Sequence, residues 1–265
     1  MAIPLPYADA MRDGDRVAEL LAQIDAEGEP PVATQLAGYF QTRPGGYAEG
    51  DRFVGVKLSR LRQLVRPYVR APLSPAALSP GLTSPIHEHR LGCLVILAEY
   101  AVRARRARDD AWLTRVYDTY VEHLDHVDNW DLVDCSAPQV VGGYLLDRDR
   151  APLYGWIRSE SVWRRRIALV TTHQFIYTGQ TADTYALATQ VLDDPHDLIH
   201  KAAGWMLREA GKRVDEDELR RYLDTYAPRM PRAMLRYAIE RMPDDVRRRY
   251  RAMKTPIASP SPGDG

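Results

Sequence analysis

The chain has 265 residues, of which 45% are hydrophobic, enough to bury a large core. Its 36 basic and 36 acidic residues cancel, so no bulk charge announces a polyanion partner, although the distribution of charge still matters. Cys93 and Cys135 both sit in apolar helical patterns, which favours free thiols in a reducing compartment over a disulfide.

Apolar residues recur at helical spacing along almost the whole chain, and strand-like alternation is nearly absent. The pattern predicts helices over 13–27, 32–42, 57–71, 86–106, 109–124, 129–146, 151–160, 162–175, 181–192, 196–212, 215–226 and 231–241, with a short last one near 244–253. Breakers fall between them, among them Pro30-Pro31, Pro44-Gly45-Gly46, Pro80-Gly81, Thr178-Gly179 and Pro195. The Pro- and Ser-rich stretch Leu73–Pro85 has room for one short helix. Two helices with their turns take about 35–45 residues, the period of HEAT-type repeats. The expected fold is therefore all-α, an α-solenoid of HEAT-like antiparallel helix pairs with a concave face wide enough for an extended ligand. It is expected to form a single domain over 1–254, followed by a disordered tail rich in Pro, Ser and Gly over 255–265. Met1–Met11 has no basic start followed by an apolar run, and no stretch approaches the roughly 20 apolar residues of a membrane span. A soluble, cytoplasmic protein is expected, with a monomer as the default.

The charges are segregated. Lys57, Arg60, Arg62, Arg66 and Arg70 follow one another with no acid among them, and Arg164-Arg165-Arg166 open a later helix. Lys201, Arg208, Lys212 and Arg213 surround Trp205, and Arg247-Arg248-Arg249 and Arg251 lie near the C-terminus. Acids gather elsewhere, as at Asp215-Glu216-Asp217-Glu218. Such a distribution can form a phosphate-binding stripe, and each run alone also fits a solvated helix face.

Within Asn129-Trp130-Asp131-Leu132-Val133-Asp134, Trp130 and Asp134 are four apart and share one helix face. A carboxylate beside an aromatic wall can stabilise a cationic sugar or aim a water at it. The same residues also fit a helix N-terminus with a core tryptophan. A second aromatic segment, Lys201-Ala202-Ala203-Gly204-Trp205-Met206-Leu207-Arg208-Glu209, carries a glycine in a helix interior. That placement costs about 1 kcal/mol relative to alanine and points to close approach by a neighbouring helix or a ligand.

Together these stretches resemble the AlkD family of HEAT-like repeat DNA glycosylases. Trp130-Asp131-Leu132-Val133-Asp134, Trp163 with Arg166, and the Lys201–Glu209 stretch occur in that family's order and spacing. Phe53-Val54-Gly55-Val56-Lys57 and His87-Glu88-His89-Arg90 are also similar to it, and the resemblance runs from about Tyr39 to Tyr237. It implies an enzyme that hydrolyses the N-glycosidic bond of cationic N3- and N7-alkylated purines in double-stranded DNA, with no cofactor or metal. By position Trp130, Asp134 and Trp205 match the catalytic trio, and Arg166 matches a residue touching the backbone near the lesion. Lys57 and Tyr39 fall at further DNA contacts, and Lys201, Arg208 and Lys212 are candidates for the same role. Where the family often has a second tryptophan, this chain has Asn129, which implies a packing or capping consequence. The resemblance also implies that the base stays stacked during hydrolysis, which leaves bulky adducts open as substrates. Some members give self-resistance to DNA-alkylating natural products.

The chemistry is consistent with these residues. An alkylated purine already carries positive charge and leaves without a general acid. Bond breaking moves the charge to the sugar as an oxocarbenium ion, which a carboxylate such as Asp134 can stabilise; one such electrostatic partner is worth about 10²–10³ in rate. Indole faces can flank the same cation. The chain has neither the Gly-rich hairpin of other glycosylases nor a four-cysteine cluster, and its seven histidines are scattered. The competing reading is a non-catalytic HEAT-like scaffold that binds DNA or protein. It needs the basic stripe but not Asp134, whose charge would repel phosphates.

Overall fold

Side chains spaced three and four apart leave the chain one regular conformation, and the computed structural model, which describes residues 12–253, is all-α. Among the described residues, paired extended backbone is confined to one parallel bridge between Arg52 and Ile86. The chain divides after Asp147 into two compact units. The tail expected to be disordered, 255–265, lies outside the described residues.

The first unit carries α1 (Asp13–Ala26), α2 (Pro30–Tyr39), α3 (Leu58–Arg70), α4 (Ser79–Leu82), α5 (His87–Ala107), α6 (Asp110–Glu122), α7 (Trp130–Ala137) and α8 (Gly143–Leu145). α3 shows why these segments are helical. Leu61, Val65 and Tyr68 form its buried stripe, while Arg62, Arg66 and Arg70 are exposed. α5 is the hub of the unit. Every residue from Leu91 to Ala98 is buried, and the helix packs on α3, α6 and α7. It ends where Arg108 turns left-handed, at φ 56°.

The single helix predicted over 129–146 is instead α7, a π turn over Pro138–Gly142, and α8. Pro138 has no N–H to bond a preceding carbonyl, so the helix widens at that point. The Leu73–Pro85 stretch holds a 3-10 turn over Pro75–Leu78 that runs into α4.

The second unit carries α9 (Ala151–Trp156), α10 (Val162–Ile176), α11 (Ala182–Gln190), α12 (Asp197–Arg213), α13 (Glu216–Tyr226), α14 (Arg232–Ala238) and α15 (Asp244–Ala252). Side chains of Ser161, His196 and Asp215 cap the starts of α10, α12 and α13. α12 is central and packs on α10, α11, α13 and α14. Gly204 makes the approach of α14 possible. A Cβ there would collide with the Met234 carbonyl oxygen and lie 2.7 Å from the Tyr237 Cβ. The helical interior glycine thus marks a neighbouring helix, the first of the two readings its sequence position left open.

Within each unit successive helices pack on their chain neighbours, as stacked helix pairs in a solenoid do. Among the described residues no helix is long and apolar enough to cross a membrane.

Candidate functional site

In the first unit the site is built around the start of α7. Asn129 is fully buried in an extended conformation and caps the helix, its side-chain oxygen accepting from the Trp130 N–H at 2.8 Å. Leu132, Val133, Ser136 and Ala137 form the buried face of α7, which leaves Trp130, Asp131, Asp134 and Cys135 on the partly exposed one. Trp130 and Asp134 therefore share a surface one turn apart, as their spacing predicts.

The Trp130 indole is clamped on several sides. It stacks on Phe40 with ring centroids 5.1 Å apart, meets the edge of Tyr39 at 6.0 Å, and donates its Nε1–H to the Tyr47 hydroxyl at 3.2 Å. Tyr39 is 65% exposed, an unusual position for a large aromatic side chain, while Phe40 is buried. The stack continues inward through Phe53 to His87, whose rings are 4.4 Å apart.

His87 is the residue that sequence reasoning noticed without assigning a role. Its Nδ1 is 2.7 Å from an Asp51 carboxylate oxygen and its Nε2 is 2.9 Å from Asp131, in the first turn of α7. Burial alone would lower its pKa, but hydrogen bonds and charge from Asp131 and Asp51 raise it to about 9. Burial pushes Asp51 the other way, and His87 and Arg90 overcome it to bring the carboxyl down to about 2. Arg90 also donates to Asp51 at 2.8 Å, and the Asn129 amide donates to Asp51 at 3.3 Å. A buried, charged network thus ties the N-terminus of α7 to the segment ahead of α3.

That segment is shaped by Glu88. Its carboxylate accepts the backbone N–H groups of Val54, Gly55 and Val56 at 3.0, 2.8 and 3.1 Å. Gly55 is needed there, with φ at +96° and no room for a Cβ beside the Glu29 carbonyl. The outcome is to set Lys57, exposed, at the N-cap of α3 with the exposed arginines of that helix beyond it. Arg60 of that run is paired with Glu27 at 2.5 Å. Polar residues ahead of the apolar run Leu91–Ala98, His87 to Arg90, were the signal for this network, but its partners lie too far off in sequence to be read.

In the second unit Lys201, Trp205, Arg208 and Lys212 recur at spacings of four, three and four, one stripe of α12, and none is fully buried. Trp205 is half-buried against Ile176, Met206 and Ala210, with the His173 ring 5.5 Å away. Burial lowers the His173 pKa, with Glu209 opposing and Arg213 and Arg208 adding to the effect, which favours a neutral imidazole beside the indole. Lys201 pairs with Asp197 at 2.6 Å, and Arg208 pairs with Glu209 at 3.0 Å and with Glu240. Arg166 is only 5% exposed and donates to the Leu198 carbonyl at 2.8 Å.

Neither thiol has the surroundings of a nucleophile, since burial raises Cys93 to about 12 and Cys135 to about 11. Among the described residues no three His, Cys, Asp or Glu side chains gather as a metal site.

Comparison with known proteins gives a consistent answer. The family described as "DNA alkylation repair enzyme" matches residues 20–242. Among solved structures, the "Predicted DNA alkylation repair enzyme from Enterococcus faecalis" is similar with a TM-score of 0.61 and 14% identity, over 82% of this chain and 98% of that one. At that identity the likeness shows the fold. No curated protein matches.

Proposed function

The chain belongs to the DNA alkylation repair enzyme family, and from that premise we propose that it is a monofunctional DNA glycosylase acting on cationic N3- and N7-alkylated purines in double-stranded DNA. The observation that carries this reading is the partly exposed face of α7. A carboxylate, Asp134, stands one helical turn from an indole that Phe40 and Tyr47 hold in place. A carboxylate on a DNA-facing surface repels phosphates, so its place there is explained by a reaction that develops positive charge.

In the proposed reaction the C1′–N bond breaks and its electron pair passes to the alkylated base, which leaves neutral. The sugar is left as an oxocarbenium ion, stabilised by Asp134 through charge and by the ring faces of Trp130 and Trp205. The oxygen of a water then bonds to C1′, and the water's proton passes to Asp134 or to solvent. Lys57, Tyr39, Lys201, Arg208 and Lys212 contact the DNA backbone, and Arg166 holds a single phosphate by its guanidinium fork. The base stays stacked, so no tight base pocket limits the lesion. Bulky adducts of alkylating natural products then fall within range, with self-resistance as a role.

The test is base release from duplex DNA carrying 7-methylguanine, with wild-type protein and Asp134→Asn. Release that falls about 10²–10³-fold in the variant while DNA binding is kept supports the reading. Equal release removes Asp134 from the mechanism, and tight binding without release of methyl or bulky adducts favours the scaffold.

A further inference from the structure

The second unit contains a cleft that opens beside the α12 stripe and shares only Arg208 with the proposed DNA contacts. It has a volume of about 490 Å³ and is lined by Arg208, Arg236, Tyr237, Glu240, Arg247 and Arg251. Three helices contribute, α12, α14 and α15, and a smaller cavity sharing Arg236 and Arg251 adds Arg232. In the larger cleft four guanidinium groups thus face one carboxylate.

The pairing inside the cleft is uneven. Arg208 is held by Glu209 and Glu240, and Arg247 by Asp244. Among the described residues, Arg236 and Arg251 have no carboxylate within ion-pair distance, and the Nε of Arg247 is buried with no hydrogen-bond partner. Like charges gathered in a concavity without enough acids are a standing electrostatic cost. An anion of tetrahedral shape with several acceptor oxygens removes it, because guanidinium forks match phosphate bidentately. Glu240, whose side chain is half exposed, occupies Arg208 in the meantime.

We propose that this cleft binds a backbone phosphate of duplex DNA, on the side of the lesion toward which Arg208 lies from Trp205. This rests on the reading of the protein as a DNA-binding repair enzyme, but not on its glycosylase chemistry. Arg208 stands on the same stripe of α12 as Trp205, so a strand running along that stripe reaches the cleft next. The entering phosphate replaces Glu240 on Arg208 and meets Arg236 and Arg251 as well.

The experiment uses the full chain and an undamaged duplex, so base release plays no part. Binding is measured against salt for wild type, Arg236→Gln/Arg251→Gln, and a control that removes two exposed arginines outside the cleft, Arg221→Gln/Arg229→Gln. Arg236 and Arg251 are exposed, so the variant is expected to fold, and its melting curve checks this. The slope of log K against log salt should fall by about 1 for each phosphate lost, while the control changes it little. Glu240→Gln should tighten binding, since it removes the only carboxylate lining the cleft. An unchanged slope in the cleft variant, an equal change in the control, or no gain from Glu240→Gln overturns the proposal. Failure of 7-methylguanine release with a changed slope would overturn the glycosylase reading alone.

Discussion

His87 Nε2 lies 2.9 Å from the Asp131 carboxylate, the residue after Trp130, so a buried imidazole anchors the turn that presents the indole. Its other nitrogen is held by Asp51 at 2.7 Å. The pKa of His87, raised from 6.5 to about 9, puts its stabilising charge in the folded state. That contribution is complete below 6.5 and is lost as pH rises through about 9. The size is about 3 kcal/mol at the level of order of magnitude. Denaturant midpoints taken at pH 6, 8 and 10 should fall steadily, and His87→Phe should remove most of that slope. A slope of the same size in the variant would place the titration elsewhere. Asp51, brought down to about 2, adds an opposite limb: its contribution is present above 3.8 and is lost as pH falls toward 2.

A second expectation concerns the indole. Tyr47→Phe removes the acceptor for Trp130 Nε1–H and leaves the Phe40 stack in place. The lost hydrogen bond should cost about 0.5–1.5 kcal/mol in stability. If Trp130 works as proposed, single-turnover base release should drop several-fold at saturating DNA, with little change in binding. Equal loss in binding would mean that Tyr47 supports the fold of the segment rather than the aim of the indole.

How much of this was legible in the sequence depends on distance along the chain. The α7 and α12 faces were readable because helical spacing places Trp130 with Asp134, and Lys201 with Trp205, Arg208 and Lys212, within a few turns. Asn129 was readable as a cap for the same reason. The His87 network was not, because its partners are 36 and 44 residues away and no local pattern joins them. The π turn at Pro138 was not legible, because the apolar periodicity runs through it unbroken. Basic runs showed sign but not pairing, so Arg60 and Arg208 looked as available as Lys57 and Lys212.

Glu88→Gln offers a test of how Lys57 is positioned. The carboxylate accepts three backbone N–H groups, and an amide must turn two N–H donors toward at least one of them. The loss should be about 1–3 kcal/mol, since a buried donor is left unsatisfied. Hydrogen exchange at Val54, Gly55 and Val56 should speed up by orders of magnitude before the rest of the unit responds. Unchanged protection at those amides would show that Glu88 does not hold the segment.

Gly204→Ala sets two effects against each other. Helix propensity alone favours alanine by about 1 kcal/mol. The added Cβ, however, meets a backbone carbonyl at Met234 that cannot swing aside as a side chain would, and the Tyr237 Cβ at 2.7 Å. Overpacking of this kind costs about 1–3 kcal/mol, so net destabilisation is expected, with α14 displaced. A higher denaturant midpoint in the variant would mean that α12 and α14 are further apart than described.

Arg166 links the proposed chemistry to the fold most directly. Arg166 is 5% exposed, and its guanidinium donates to the Leu198 carbonyl, near the start of α12. Arg166→Ala should therefore lower both the melting temperature and DNA affinity. The two are separable by salt, since a lost phosphate contact reduces the slope of log K by about 1, whereas a lost structural bond leaves it alone. Arg166→Lys sharpens the comparison. It keeps the charge and loses the planar fork, so stability and base release should both suffer while the salt slope is largely kept. If Arg166→Ala melts lower with the wild-type salt slope, Arg166 is a strut for α12, and the phosphate near the lesion must be held by Lys201, Arg208 or Lys212 on the exposed stripe of that helix.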